Sequence, residues 1–170
     1  MFKYKVTIIA AFSALLFVTN AIGQAFKVPD RYSFESIESY HKYDKDIINC
    51  VTWLEKVAPG DESNNVKRAT RFLLEWETGC PYVRFVPNSR VEAFLSDCPE
   101  YRVYYIGGWV RYSLQNEGKA NKMMCTYAGI KTVLKVYKLN RAQKQDTNLD
   151  ELMKLDEESK LRMWVQEKLN

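Results

Sequence analysis

The sequence predicts an all-α fold, a bundle of five to six helices stacked as helical hairpins. Apolar residues recur every three or four positions along most of the chain, which is the spacing of one helix face. Breaks that contain Gly, Pro or Asn separate these periodic segments. The two halves also share a faint similarity at an offset of 56 residues, in which Trp53, Asn65 and Thr70 fall on Trp109, Asn121 and Thr126.

The first 23 residues have the order of a secretory signal peptide. Two lysines precede an apolar run over residues 6–18, and the small residues Ala21 and Gly23 follow it. A helix of that run is roughly 20 Å long, too short for a bilayer core of roughly 30 Å. We expect cleavage before Gln24, with Phe26 as the alternative, and no stable membrane anchor afterwards. No cysteine adjoins either site, so we expect an exported protein, periplasmic or secreted, that is not a lipoprotein.

Residues 24–170 form one predicted helical domain. Removing residues 1–23 from the 170-residue chain leaves 147 residues, which suits a single core. Without Lys3 and Lys5 the chain carries 23 basic and 21 acidic residues. That balance argues against a nucleic-acid partner, which needs a concentrated basic field.

The first two helices after the signal are predicted over residues 33–58 and 64–79. The first has helical spacing, and its start at Ser33 or near Tyr43 is open. The second ends at Gly79 before Pro81. Its apolar face consists of Val66, Ala69, Phe72, Leu73 and Trp76. Part of that face follows the second-helix spacing of a tetratricopeptide repeat, although the first-helix pattern is missing.

The β-rich run over residues 82–86 is predicted to be extended, and a small helix is expected over residues 89–97. Four cysteines remain after the signal, which permits two disulfides in an oxidising compartment. Cys80 and Cys98 each precede a proline, so we expect them at helix ends and choose them as the candidate bond. Cys50 and Cys125 lie on apolar helix faces and are expected to be buried thiols.

Residues 101–116, YRVYYIGGWVRYSLQN, admit two structures. A hairpin turning on Gly107 and Gly108 would produce one consistent apolar surface. A helix would carry two opposed apolar stripes, with start and stop signals on its flanks. We favour the helix, although two mid-helix glycines cost roughly 1 kcal/mol each. We expect the close approach of another helix, near Ala128 and Gly129, to explain them.

The last two predicted helices begin near Lys119 and Thr147. The first carries apolar residues on two sides, so we expect neighbours on both. Its polar edge is Lys131, Lys135 and Lys138. The second helix has early acids that would meet the basic end of the first if the pair is antiparallel. Intramolecular pairing or solvation is therefore our preferred explanation of the lysines, ahead of a phosphate-binding or membrane-binding site.

The segments RFLLEWETGCPYV, YYIGGWVRYSL and AGIKTVLKVYKLN together resemble an uncharacterised family of exported bacterial helical proteins. The resemblance implies an α-helical protein without enzymatic activity, and it transfers no catalytic residue.

No catalytic motif accompanies the one histidine, His41, and the cysteines lack metal-site spacing, so we predict no metal and no cofactor. Paired carboxylates at Glu75 with Glu77, or at Asp97 with Glu100, are the remaining route to an enzyme. Aromatic side chains suit helix packing first, and protein interfaces or sugar stacking second. The candidates for such contacts are Tyr101, Tyr104, Tyr105, Trp109 and Tyr112.

The sequence thus favours an exported protein that binds or scaffolds through protein contacts. The alternative is a small secreted glycan-active hydrolase or carbohydrate-binding module that uses the tyrosine-rich helix. We lean against an enzyme.

Overall fold

A computed structural model describes residues 26–116 and 119–170, and the predicted signal peptide lies outside the described residues. Within those ranges the fold is all-α, as predicted, and contains no strand. The helices are α1 (Ile37–His41), α2 (Asp44–Leu54), α3 (Asn64–Gly79), α4 (Ser89–Glu92), α5 (Arg102–Gln115), α6 (Lys122–Asn140), α7 (Thr147–Glu157) and α8 (Leu161–Leu169). Two 3₁₀ turns, Ala93–Leu95 and Pro99–Tyr101, precede α5.

The eight helices exceed the five to six predicted because two expected helices are each divided. The first divides between α1 and α2, where Tyr43 caps α2 without a side-chain hydrogen bond. The last divides between α7 and α8, where Ser159 takes a left-handed conformation with φ of 58°. Helix α7 begins at Thr147, and its cap is the Asp146 side chain, which accepts from the Leu149 amide at 2.9 Å.

The segment 101–116 is helical, so the helix prediction is confirmed and the hairpin is wrong. Helix α5 is buried on opposite sides, against α2 and α3 on one and against α6 on the other. A Cβ added to Gly107 would lie 3.2 Å from both methyls of Val51. A Cβ added to Gly108 would lie 2.6 Å from the Thr132 Cβ and 2.9 Å from the Ala128 carbonyl oxygen. Gly108 therefore allows α6 to approach where the sequence predicted it, whereas Gly107 allows Val51 of α2 to pack closely on the opposite side of α5.

Helix α6 packs against α5, α7 and α8, which confirms the prediction that it has neighbours on more than one side. Its end is joined to the start of α7 by polar contacts. The Tyr137 hydroxyl donates to Asp150 at 2.7 Å and accepts from the Asp146 amide at 2.9 Å. Arg141 donates to the same Asp150 oxygen at 2.8 Å. The acidic first turn of α7 thus meets the basic end of α6, as expected.

Residues 82–86 form neither helix nor strand, and the prediction of an extended segment there stays a prediction. Tyr82, at the start of this segment, is held by side-chain contacts to the α1–α2 region. Its ring stacks on His41 with centroids 4.0 Å apart, and its hydroxyl donates to Asp44 at 2.6 Å. The imidazole itself lies 3.0 Å from the other oxygen of Asp44. His41 therefore joins residues 82–86 to α2 through its contacts with Tyr82 and Asp44.

All four cysteines are buried free thiols. This outcome agrees with the expectation for Cys50 and Cys125, but the Cys80–Cys98 bond is not formed. Cys80 caps the end of α3, as its position before Pro81 predicted, whereas the Cys98 thiol donates to the carbonyl of Phe94 at 3.3 Å. The Cys98 thiol thus forms a hydrogen bond within its own chain segment. Burial raises its pKa to about 12.

Candidate functional site

Most of the predicted aromatic candidates belong to the core. Tyr101, Tyr104, Tyr105 and Trp109 are all buried, and only Tyr112 is half-exposed. The Tyr104 hydroxyl donates to the Val57 carbonyl at 3.1 Å, and burial raises the pKa of Tyr101 to about 12. The first four rings therefore stabilise the packing of α5 and leave Tyr112 as the member of the set that reaches a surface.

The predicted lysines have different environments along one edge of α6. Lys131 donates to Asp156 of α7 at 2.8 Å, and Lys135 donates to Glu55 at 2.5 Å. Lys138 is exposed and borders a shallow cavity of about 280 Å³ with Asp156. Two of the three lysines thus make the intramolecular pairs that the sequence favoured.

Tyr112, Lys131 and Lys135 come together in a groove between α5 and α6, which we call the α5–α6 groove. It has a volume of about 390 Å³, within the range of ligand sites. Its apolar lining comes from Tyr112, Met124, Tyr127 and Ala128. Its charged lining comes from Glu55, Arg111, Lys131 and Lys135. An apolar surface therefore lies directly beside a group of charges.

Glu55 is the centre of that charged group. It follows the last residue of α2, and its side chain is only 1% exposed, whereas Arg111 is 21% and Lys135 61% exposed. Lys135 is bound to Oε2 of Glu55, and Nη2 of Arg111 makes a close ion contact with Oε1. A buried carboxylate costs several kcal/mol in lost hydration, and two adjacent cations offset that cost.

The contact between Arg111 and Glu55 is an ion pair without hydrogen-bond geometry, because Oε1 of Glu55 has no hydrogen-bond partner in the described part of the chain despite the short separation. The same Nη2 donates to the Thr132 hydroxyl at 3.3 Å, and that hydroxyl donates to the Ala128 carbonyl at 3.0 Å. The guanidinium is thereby held between α2 and α6.

The charge of the α5–α6 groove does not balance. Among the described residues, three cations line it beside a single carboxylate, that of Glu55, which contacts Arg111 and Lys135. Asp156, which pairs with Lys131, compensates a second cation from outside the groove. Within residues 26–116 and 119–170, one positive charge is left without a carboxylate of its own beside the apolar lining. The arrangement therefore suits the binding of an anion that is attached to an apolar body.

The carboxylates considered for catalysis are engaged by separate partners. Glu75 accepts from the Tyr32 hydroxyl at 2.6 Å, and Glu100 accepts from Lys144 at 2.7 Å. Glu77 is the one whose pKa is raised, through burial. Asp97 lies 3.5 Å from the side-chain amide of Asn148. None of these contacts joins the members of a pair to each other.

Sequence reasoning missed Glu55, Arg111, Met124 and Tyr127 as members of the site. One signal was available for Glu55, since it lies four residues after Val51 and next to Leu54 on an apolar helix face. A carboxylate at such a position needs a cationic partner. The identity of that partner could not be read, because Lys135 lies 80 residues farther along the chain.

Comparison with known proteins adds no functional assignment. No protein-family model matches the chain, and neither curated proteins nor solved structures yielded a match. The resemblance to an exported helical family, and the tetratricopeptide-like spacing, therefore stay predictions. Across the described ranges, no group of three or more histidine, cysteine or acidic side chains is placed to hold a metal ion. No helix in the same ranges is both long and apolar enough to cross a bilayer.

Proposed function

We propose that this protein is an exported, non-enzymatic binding protein that holds a protein partner in the α5–α6 groove. The observation that carries the proposal is the placement of a buried, ion-paired carboxylate beside a partly exposed apolar lining. Tyr127 and Met124 are half-buried there, and no residue of the described chain covers them fully. Aromatic residues, Met and Arg are the residue types enriched in the centres of protein interfaces.

The state of Glu55 supports binding over catalysis. Its carboxylate is almost fully buried and is held by Lys135 and Arg111. A catalytic acid or base must reach the proton that it transfers, within hydrogen-bond distance of a bound substrate. The ion pairs give Glu55 a positioning role, because its carboxylate orients the side chains of Lys135 and Arg111 toward the groove.

Export is part of the proposal and rests on the residues of the N-terminal segment. Processing before Gln24 would leave all residues that line the groove in the mature protein. Mass measurement and N-terminal sequencing of protein recovered from the exporting cell test it directly. A chain that keeps residues 1–23 would contradict it.

The binding role is tested by photo-crosslinking in the native cell. A photo-reactive amino acid is placed at position 127, in the groove, and in a matched variant at position 37, where Ile37 is 54% exposed on α1. We expect a crosslinked protein from position 127 and none of the same mass from position 37. That protein, once purified, should bind the wild-type chain and lose binding to a Met124→Ala, Tyr127→Ala double variant.

Equal crosslinking from both positions, or undiminished binding to the double variant, would contradict a role for the groove. Circular dichroism of the double variant provides the folding control, because both side chains are partly exposed and their loss should leave the helices intact.

A further inference from the structure

We infer that the occupant of the α5–α6 groove is an acidic, apolar segment of the partner protein. In this segment a large apolar side chain enters the groove beside Met124 and Tyr127. An Asp or Glu carboxylate on the same face of the segment pairs with Arg111 and Lys135. The inference rests on the proposed function and names the chemistry of its ligand.

The cationic side of the groove determines the charge of the ligand. The Lys135 side chain is 61% exposed while its ammonium holds Glu55, and Arg111 is 21% exposed beside it. The guanidinium has five N–H donors in a planar fork. Among the described residues, Nη2 of Arg111 contacts Glu55 and Thr132. Arginine in this state pairs well with a second carboxylate.

The apolar side determines the body of the ligand. Met124 and Tyr127 lie on adjacent turns of α6, and Ala128 leaves space beside them. Methionine is flexible and adapts to irregular apolar groups. A groove of about 390 Å³ has room for one or two large side chains. A free inorganic anion would leave this surface in water, and a cationic segment would be repelled by the uncompensated charge.

Glu55 sets how strongly the groove attracts an anion. Its charge neutralises one of the two cations that face it, so removing that charge without changing the side-chain shape increases the positive field of the groove. Glu55→Gln and Lys135→Gln thus change the groove charge in opposite directions. The pair provides a test that a general loss of structure would not imitate, since misfolding weakens binding in both variants.

The test is selection of a displayed library of random 12-residue peptides against the purified protein. Enriched peptides are then synthesised and their affinities measured by fluorescence anisotropy. We expect the enriched sequences to carry Asp or Glu within four residues of Leu, Phe, Trp or Met. Lys135→Gln should weaken their binding by roughly fivefold, as a partly exposed ion pair permits. Glu55→Gln should strengthen it by a similar factor, and added salt should weaken it.

Lys67→Gln is the matched control, because it makes the same change in net charge on α3, outside the groove lining. It should leave the affinity unchanged. The inference is overturned if the enriched peptides lack acids, or if Lys67→Gln and Lys135→Gln change the affinity equally. In either case, the proposed function still stands if the affinity depends on the groove. Peptides that bind the Met124→Ala, Tyr127→Ala variant as well as wild type overturn the groove as the site.

Two other outcomes identify a different occupant and also overturn the inference. Sedimentation equilibrium that shows self-association, abolished by the groove double variant, would make the occupant a second copy of this chain. Cosedimentation with phosphatidylglycerol vesicles that depends on Lys135, together with no peptide enrichment, would make it a lipid surface.

Discussion

Substitution of Gly108 by alanine should destabilise the protein, even though alanine is the better helix former. The added Cβ would lie 2.6 Å from the Thr132 Cβ, well inside the roughly 3.5–4.0 Å at which carbon atoms attract each other. It would also lie 2.9 Å from the Ala128 carbonyl oxygen, which is backbone and cannot rotate away. Helices α5 and α6 must therefore move apart by about 1 Å to restore ordinary contact.

The magnitude follows from two opposing effects. Replacing a mid-helix glycine by alanine gains about 1 kcal/mol of helix propensity. Overpacking a well-packed interface costs about 1–3 kcal/mol, and occasionally more. The clash of the added Cβ with the Ala128 carbonyl oxygen involves backbone and falls at the upper end, so we expect the free energy of unfolding to drop by about 1–2 kcal/mol.

Gly107→Ala is the matched comparison on the same helix. Its Cβ would lie 3.2 Å from two methyl carbons of Val51 and 3.5 Å from Leu73, and a valine side chain can shift by a few tenths of an ångström. We expect a change in the free energy of unfolding within about 0.5 kcal/mol of zero, since the propensity gain offsets the tight contact.

The assay is urea denaturation followed by tryptophan fluorescence and circular dichroism. The reasoning would be refuted if Gly108→Ala were as stable as wild type with unchanged helix content. A second refutation would be full rescue by Thr132→Ala, because that change removes the hydroxyl but keeps the Cβ that makes the 2.6 Å contact.

Three further predictions follow from the charged and buried groups. Arg111→Met should lower the free energy of unfolding by about 3 kcal/mol, because the buried Glu55 keeps only one cation. Glu55→Gln should lower it by less, because the cations left behind are more exposed than the carboxylate. Equal losses of the two variants in urea denaturation would contradict this. Arg141 and Tyr137 hold the pKa of Asp150 below its usual range. Its contribution to stability is therefore fully present above about pH 4 and lost as the pH falls through the lower folded-state pKa, so the deficit of Asp150→Asn should shrink in acid unfolding curves. Burial raises the pKa of all four thiols, so the native protein should react slowly with Ellman's reagent. After unfolding without reductant, four thiols should react. A count of two reactive thiols would indicate a disulfide and contradict the prediction.

The sequence predicted the helices whose apolar spacing is long and regular. Helix α3, with its stop at Gly79, and helix α5, with its two apolar stripes, were both identified from pattern alone. The division between α7 and α8 was missed, because Ser159 adopts a left-handed conformation that usually requires glycine or asparagine. No residue type at that position signals the break.

The candidate site was predicted only in part, because the spacing of residues along a helix does not show which of them the fold buries. Lysines at helical spacing marked one edge of α6, and two of those lysines, Lys131 and Lys135, do line the groove. The aromatic candidates were chosen from the same kind of spacing, but a pattern does not distinguish a buried ring from an exposed one. Tyr105 lies two positions before Gly107 and Tyr112 lies four positions after Gly108, yet they differ in exposure, because α6 covers only Tyr105.

Stability alone does not account for the charges at Glu55. Buried ion pairs in proteins can often be replaced by apolar residues of similar volume at no cost in stability. Helix α2 already packs on α5 through apolar contacts such as Val51 on Gly107, so the junction of α2, α5 and α6 does not depend on a carboxylate. What the carboxylate adds is a fixed position for two cations whose side chains would otherwise sample many rotamers. Their immobilisation next to Met124 and Tyr127 reduces the entropy lost when an anionic ligand binds, a contribution to recognition that Glu55→Gln keeps in part through its side-chain oxygen while it removes the opposing negative charge.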